Sequence, residues 1–214
     1  MDLRYPITRY LYRPVSGPIA RILAGTPVTP VQVTWVSGAL AIGGAIAFAD
    51  GRLALGALLS LAGVITDCVD GDLARLTGRG SKHGAYLDSV LDRWTDAAMI
   101  LGLGASDPER FGILAGIAVM SSLITSYTRA RAQSLGVDTP EGVGGRDARI
   151  LILSFAALAG QVAVGLVIVA TLGIVTSLHR ARNAGRALRR LDRAERDEEV
   201  PVLHERGPGE DQTA

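Results

Sequence analysis

Residues 67–92, which read DCVDGDLARLTGRGSKHGAYLDSVLD, decide how the chain folds. Four aspartates stand at helical spacings in this stretch, namely Asp67, Asp70, Asp88 and Asp92. The first two are three residues apart and the last two are four apart, and both spacings put side chains on one face of a helix. A glycine-rich, basic segment at residues 78–84 separates the two pairs. The stretch therefore predicts two helices, each carrying an acidic pair, joined by a basic turn.

The four carboxylates predict a metal site. Both helices are otherwise apolar enough for a membrane, where one carboxylate costs about 2.5–3.5 kcal/mol on the gentlest scale, and like charges one turn apart repel each other. Solvated helix caps would explain a single aspartate near a helix end, but not four in register across a basic turn. Hard divalent cations with oxygen ligands would neutralise them, so we expect Mg²⁺, with Mn²⁺ as the alternative.

The composition favours a membrane protein. The chain has 214 residues, of which 48% are hydrophobic, and its mean hydropathy is +0.29. The apolar residues fall in blocks that approach the roughly 20 residues needed to span a bilayer. Cys68 is the one cysteine, so an intrachain disulfide is excluded. The N-terminus carries several arginines with no long apolar core behind them, so we expect no cleavable signal peptide.

Two charged segments flank the apolar blocks. Residues 1–24 mix apolar residues and arginines at roughly helical spacing, which predicts an amphipathic helix in the membrane interface with its arginines toward lipid phosphates. A frayed basic arm is the alternative. Residues 186–214 are rich in Arg, Asp and Glu, and they predict a disordered cytoplasmic tail.

The membrane domain is expected between residues 25 and 185. The first predicted spans cover residues 31–49, 53–76, 84–104 and 111–126. A further apolar run at residues 150–178 would measure about 44 Å as one helix, against a hydrocarbon core of about 30 Å. It could instead form two short spans that turn near residues 160–165. Arginines alternate correctly between the two sides of the membrane only if this run is a hairpin.

The expected fold is therefore all-α. It is a polytopic integral membrane protein with six transmembrane helices and an N-terminal interfacial helix, and both termini lie in the cytoplasm. Gly112 and Gly116 form a G-x-x-x-G pair in the fourth span, which hints at a dimer contact or at ordinary internal packing.

The acidic stretch resembles the signature of the CDP-alcohol phosphatidyltransferase family. That signature is D-x-x-D-G-x-x-A-R, then eight residues, then G-x-x-x-D-x-x-x-D. Its fixed positions are filled here by Asp67, Asp70, Gly71, Ala74, Arg75, Gly84, Asp88 and Asp92. The resemblance implies a plasma-membrane enzyme, a homodimer in relatives, whose active site faces the cytoplasm and holds two divalent ions. In the family an acceptor hydroxyl attacks the lipid-side phosphorus of a CDP-linked lipid, and CMP leaves.

The resemblance also implies roles for the site residues. All four aspartates would be metal ligands, and Asp92 would in addition be the general base that deprotonates the acceptor hydroxyl. The implied CDP-lipid contacts are Val31, Gln32, Val33, Thr34, Gly71, Ala74, Arg75, Ser81 and Gly84. Many relatives carry Asn or Asp where Val31 stands. Small residues in this set would let a flat nucleotide approach the helices, although plain helix packing would also explain them.

The acceptor is expected to carry a phosphate. Residues 126–132, SYTRARA, are similar to a stretch in the branch of the family that uses inositol 1-phosphate. The implied acceptor-phosphate residues are Ser126, Arg129, Arg131, Arg146, Arg149 and Arg180. Arginines gathered beside an acidic metal site suit a doubly charged acceptor. Arg129 and Arg131 alone would also fit positive-inside residues. Relatives have Lys in place of Arg129, which keeps the charge but alters the geometry.

Several alternatives remain open from the sequence. The lipid could be CDP-diacylglycerol or CDP-archaeol, and the acceptor could be glycerol 3-phosphate. A third possibility joins CDP-inositol to inositol phosphate. A divalent-cation transporter would also use intramembrane acids, but its site is expected near the midplane rather than near the cytoplasmic ends of the spans. No nucleic-acid partner is expected.

Overall fold

The structure is a computed structural model that describes residues 8–139 and 145–205, and this part of the chain is helical with no strand. A short π-helix, Thr8–Tyr12, precedes the α-helices. These are α1 (Arg13–Ala24), α2 (Pro30–Ala49), α3 (Leu53–Thr77), α4 (Lys82–Ala105), α5 (Pro108–Ser134), α6 (Arg146–Leu158) and α7 (Val162–Glu205). The all-α prediction is confirmed for the described residues.

Four of these helices, α2, α3, α5 and α7, are long and apolar enough to cross a membrane. The other two predicted spans, α4 and α6, do not meet that description. Helix α4 carries the acids Asp88, Asp92 and Asp96, and α6 has 13 residues, about 20 Å at the rise of an α-helix. The structure thus supports a membrane-embedded protein with four candidate spans, and six spans stay a prediction.

The apolar run at residues 150–178 is broken into two helices, as the hairpin prediction requires. Helix α6 ends at Leu158, and α7 begins at Val162. Gly160 lies between them with a φ of 67°, a left-handed conformation that glycine adopts without the steric penalty of a Cβ. The backbone N–H of Gln161 then donates to the carbonyl of Ala156 and closes the turn. One continuous helix is therefore excluded.

Helices α2, α3 and α4 pack closely because small residues line their contacts. A Cβ added at Gly63 of α3 would lie 3.2 Å from the carbonyl oxygen of Ser37 in α2. A Cβ at Gly102 of α4 would collide with the backbone of Ala45 in α2. Helices in a membrane associate through such close backbone contacts, because the hydrophobic effect does not drive them together there. It brings the acidic parts of α3 and α4 together at one end of the bundle.

Helix α1 is attached to α3 and also presents an apolar face outward. Ala20 is fully buried in a cluster with Val69 and Leu73 of α3, and the Ser16 hydroxyl donates to Asp72 at 2.9 Å. Large apolar side chains remain exposed on the helix and just before it, namely Leu11, Val15, Ile19 and Ile22. This two-sided character is consistent with the predicted interfacial helix, although residues 1–7 lie outside the described part.

Helix α7 extends further than the sequence predicted. We expected disorder from residue 186, whereas the structure continues the helix through Glu205. The segment is rich in Ala, Leu, Arg and Glu, which are strong helix formers, and the preceding apolar turns supply the costly helix nucleus. Residues 206–214 of the predicted tail lie outside the described part.

The G-x-x-x-G pair of α5 does not pack inside the chain. Among the described residues, a Cβ added at Gly112 or Gly116 would meet no atom outside its own stretch of helix within 4 Å, and the neighbouring Ile113 is 82% exposed. Ordinary internal packing is therefore the wrong interpretation of this pair, and its face of α5 is open to lipid or to a partner.

Candidate active site

Three of the four predicted metal ligands meet where α3 ends and α4 begins. Asp67, Asp70 and Asp88 each offer a carboxylate oxygen, and these atoms all lie within 4.8 Å of one another. Asp70 is 7% exposed, so its charge has little access to water. Clustered carboxylate oxygens are the donors that hard divalent cations prefer. The donor set therefore fits a divalent metal ion.

The N-terminal turns of α2 hold Asp70 in place. The hydroxyl of Thr34 donates to Asp70 Oδ2 at 2.6 Å, in a buried contact. Thr34 is presented by a helix that begins with a capping box, in which Thr29 Oγ1 accepts from the Gln32 N–H and Gln32 Oε1 accepts from the Thr29 N–H. Such outer contacts orient the carboxylates that bind a metal.

The fourth aspartate, Asp92, faces an arginine rather than the other three acids. Arg146 Nη1 lies 2.7 Å from Asp92 Oδ1 and 2.7 Å from Asp67 Oδ2. One guanidinium nitrogen thus bridges an acid of α3 and an acid of α4. Asp92 lies outside the 4.8 Å group, but it is joined to that group through this contact.

A further acid, Asp96, belongs to the same network and was missed by sequence reasoning. Its Oδ1 lies 3.2 Å from Arg146 Nε, and its Oδ2 lies 2.7 Å from Arg149 Nη2. A signal was available, since Asp88, Asp92 and Asp96 continue one four-residue spacing along α4. The family signature stops at Asp92 and does not include the third member of this row.

An open pocket of about 290 Å³ lies beside the carboxylates, between the start of α2 and the turn that joins α3 to α4. Predicted CDP-lipid residues that line it are Val31, Thr34, Gly71, Ala74, Arg75, Ser81 and Gly84, and Asp70 and Asp88 share its wall. Lining residues that were not predicted are Pro30, Arg79, Gly80 and Ala85. Arg79 adds a second cation to the pocket, and its place in the basic turn was a signal that could have identified it.

Two predicted CDP-lipid residues lie elsewhere. Gln32 is occupied in the capping box of α2, and Val33 is buried in the cluster between α1 and α3. Helical periodicity explains the difference, because residues 31 and 34 share a face that the two residues between them do not. Ser81 lines the pocket, but its hydroxyl also caps α4 by accepting from the Gly84 N–H at 2.9 Å.

The predicted acceptor-phosphate residues are divided between two environments. Arg149 and Arg180 are 4% and 5% exposed, and Arg180 Nη1 donates to the carbonyl of Thr125 at 2.9 Å. Arg131 is exposed, and it contacts Ser134 in the last turn of its own helix at 3.4 Å. Ser126 donates to the carbonyl of Ser122. Arg146 and Arg149 contact acidic residues of α3 and α4 directly.

Tyr12, from the segment before α1, is buried beside the site. Its side chain is 1% exposed, and burial, reinforced by the Asp147 carboxylate, raises the pKa of its phenol. The phenol is therefore neutral at physiological pH. Among the described residues its hydroxyl has no hydrogen-bond partner, so its contribution is the packing of its ring.

Known proteins are similar to this chain over most of its length. The family model CDP-alcohol phosphatidyltransferase matches residues 27–179. The chain is 40% identical to a bifunctional IPC transferase and DIPP synthase of Rubrobacter xylanophilus over 82% of its own length, but it spans only 41% of that relative. It is 32% identical to the archaetidylinositol phosphate synthase of Pyrococcus horikoshii, with 81% of this chain and 94% of that protein covered.

Solved structures agree with this assignment. The crystal structure of Mycobacterium tuberculosis phosphatidylinositol phosphate synthase with CDP-DAG bound matches with a TM-score of 0.72 and 29% identity, covering 80% of this chain and 94% of that one. The same enzyme in complex with manganese and citrate matches with a TM-score of 0.73, 29% identity and coverage of 79% and 88%. The acidic motif, the pocket beside it and these likenesses lead to one conclusion: the chain belongs to the CDP-alcohol phosphatidyltransferase family and is a transferase.

Proposed function

We propose that the protein transfers a phosphatidyl or archaetidyl group from a CDP-activated lipid to inositol 1-phosphate and releases CMP. The observation that carries this proposal is the pairing of Arg146 and Arg149 with the acids of α3 and α4. These cations lie next to the proposed base, Asp92, where a second anionic substrate would have to bind. Relatives named archaetidylinositol phosphate synthase and phosphatidylinositol phosphate synthase support the same acceptor.

The pocket between α2 and the α3–α4 turn would hold the nucleotide. Gly71, Ala74 and Gly84 have little or no side chain, which leaves room for the nucleotide in the pocket. Arg75 and Arg79 supply positive charge for phosphate oxygens or the cytosine. Asp70 and Asp88 also line it. A CDP-lipid bound there would present its pyrophosphate to the carboxylate group and direct its acyl or isoprenoid chains toward the bilayer.

The acids would act in two ways during transfer. Two divalent ions, Mg²⁺ or Mn²⁺, held by Asp67, Asp70, Asp88 and Asp92 would neutralise the pyrophosphate and stabilise the charge on the leaving CMP. Asp92 would accept the proton of the acceptor hydroxyl. The acceptor oxygen then forms a bond to the lipid-side phosphorus, and the bond from that phosphorus to CMP breaks.

The arginines would bind the phosphate of the acceptor. A guanidinium matches phosphate oxygens with two parallel N–H donors, which a lysine does not. Arg149 and Arg180 are buried, so their charges are screened little by water. A free alcohol such as inositol would leave these charges without a substrate anion.

The protein would sit in the plasma membrane with six spans. In this arrangement α4 and α6 cross as well, shielded by their neighbours, and both termini and the active site face the cytoplasm, as the distribution of arginines favours. Helix α1 would lie in the interface, with its exposed apolar residues in lipid. The open face of α5 at Gly112 and Gly116 would be the contact of a homodimer.

Acceptor specificity can be tested by CMP release. Purified protein in detergent is given CDP-diacylglycerol and Mg²⁺, and inositol 1-phosphate, glycerol 3-phosphate and free inositol are supplied in turn. We expect release with inositol 1-phosphate and little with free inositol. Release with glycerol 3-phosphate alone would show that the inositol assignment is wrong. If no combination of CDP-lipid and acceptor releases CMP, the result would favour the transporter. Replacing the donor with CDP-archaeol compares ester with ether lipid.

A second candidate function follows from the relative with 40% identity. Its name includes DIPP synthase as well as IPC transferase, so a CDP-inositol donor must also be compared. Adding CDP-inositol with inositol 1-phosphate to the same assay makes the comparison direct. A higher kcat/KM for CDP-inositol than for the CDP-lipids would show that CDP-inositol is the preferred donor and that the lipid-transfer proposal is wrong.

A further inference from the structure

Asp96 occupies an unusual place for a charged side chain. It lies in α4 one turn beyond Asp92, and it is 7% exposed. Its two oxygens contact two different arginines, both from the start of α6. Oδ1 accepts from Arg146 Nε at 3.2 Å, and Oδ2 accepts from Arg149 Nη2 at 2.7 Å.

The contact with Arg146 determines what the rest of that guanidinium can reach. While Nε faces Asp96, Nη1 lies 2.7 Å from both Asp67 and Asp92. The guanidinium group is planar and rigid, so a carboxylate that holds its Nε also sets the position of Nη1. Asp96 therefore sets the position of Arg146 Nη1 relative to Asp92, the proposed base one turn away.

The surroundings of Asp96 leave little room for a substrate or a metal ion. A cavity of about 10 Å³ adjoins it, lined also by Val64, Met99 and Ile150, and this is room for about one water molecule. A buried carboxylate in such a setting is tolerated because its partners are cationic. Asp96 is thus placed to act through the two arginines rather than by touching a substrate.

We propose that Asp96 is a positioning residue for the acceptor site. It holds Arg146 and Arg149 side by side, and it aligns the phosphate they would bind with Asp92. The two arginines are three residues apart on α6, where like charges repel, and one carboxylate between them offsets that repulsion. This inference rests on the proposed function, because it assumes that the acceptor carries a phosphate.

The test is the effect of Asp96→Asn on each substrate separately. An amide keeps the size of the side chain, but it removes the charge and presents an NH2 group, which is a donor, to one of the two arginines. We expect the KM for inositol 1-phosphate to rise roughly tenfold or more, because small displacements of binding groups are costly. The KM for the CDP-lipid should change less than about twofold. Asp96→Glu, which retains the charge, should recover part of the loss.

Controls separate positioning from a general loss of structure. Asp50→Asn removes an exposed acid at the opposite end of α2, and it should leave both KM values unchanged. Binding of CMP in the presence of Mn²⁺, measured by calorimetry, should be unchanged in Asp96→Asn. An unchanged acceptor KM, or equal changes in the two KM values, would overturn the proposal.

A second variant keeps the proposal testable if Asp96→Asn does not fold. Arg149→Lys retains the positive charge but loses the Nη2 donor that meets Asp96. It should raise the acceptor KM selectively, as Asp96→Asn does, and no increase would contradict the proposal. The wild-type enzyme distinguishes the two levels of inference. If it does not use inositol 1-phosphate, the proposed function fails. If it does and these variants have a normal acceptor KM, only the role of Asp96 fails.

Discussion

Asp92 is the residue on which turnover should depend most directly. Its carboxylate lies beside Arg146 rather than inside the group formed by Asp67, Asp70 and Asp88, so its removal should spare the nucleotide pocket. We expect Asp92→Asn to lower turnover by at least about 100-fold, because an amide cannot accept the proton of the acceptor hydroxyl. CMP release in a single turnover measures this loss.

Nucleotide binding provides the control for Asp92→Asn. Calorimetric titration with CMP and Mn²⁺ should give nearly the wild-type affinity, since the pocket is lined by residues of α2, α3, the following turn and the start of α4, and Asp92 is not among them. If turnover and CMP binding are lost together, Asp92 acts mainly as a metal ligand, and the base must be another group.

Tyr12 tests how a buried hydroxyl without a partner affects stability. Among the described residues the Tyr12 hydroxyl accepts and donates no hydrogen bond, and an unsatisfied buried polar group costs about 1–3 kcal/mol. We therefore expect Tyr12→Phe to leave the melting temperature in detergent unchanged or to raise it. Tyr12→Ala should lower it, because deleting a buried aromatic ring costs about 3–5 kcal/mol. A lower melting temperature for Tyr12→Phe would reveal a partner for the hydroxyl.

At the scale of the element, α2 serves the site through its first turns. Thr34 connects this helix to Asp70 by one hydrogen bond of 2.6 Å. Thr34→Val keeps the shape of the side chain and removes that bond. The loss of such an outer contact typically weakens metal affinity about 10- to 100-fold. We expect the Mn²⁺ concentration for half-maximal CMP binding to rise accordingly, while the acceptor KM stays unchanged.

The matched control for Thr34→Val lies one turn earlier in the same helix. Thr29→Ala removes the capping box, which costs about 1 kcal/mol of stability, but it leaves the Thr34–Asp70 contact intact. It should lower the melting temperature without a comparable change in the Mn²⁺ requirement. If both variants shift the metal requirement equally, Thr34 matters through the stability of α2 rather than through Asp70.

Across the whole molecule, features set by neighbouring residues could be predicted from the sequence, whereas contacts between residues distant in the chain could not. Asp67, Asp70 and Asp88 could be grouped because short helical spacings and one turn bring them together. The contact of Asp96 with Arg149 joins positions 53 residues apart, and no local pattern specifies which arginine meets which acid. Gln32 and Val33 lie away from the pocket for a different reason, since the resemblance marked a continuous segment whereas a helix presents only one face of it.

Six membrane crossings can be distinguished from four by the location of two connections, the one between α4 and α5 and the one that follows α5. If α4 and α6 both cross, Ser106 lies outside and Ser134 in the cytoplasm. If only α2, α3, α5 and α7 cross, these two positions exchange sides.

Cys68 is the one cysteine, so Cys68→Ala gives a background for Ser106→Cys and Ser134→Cys. With six spans, an impermeant thiol reagent should label the first variant in intact cells and the second only after permeabilisation. Asp50→Cys, outside in both arrangements, controls for reagent access, and the opposite pattern at the two serines would establish four spans.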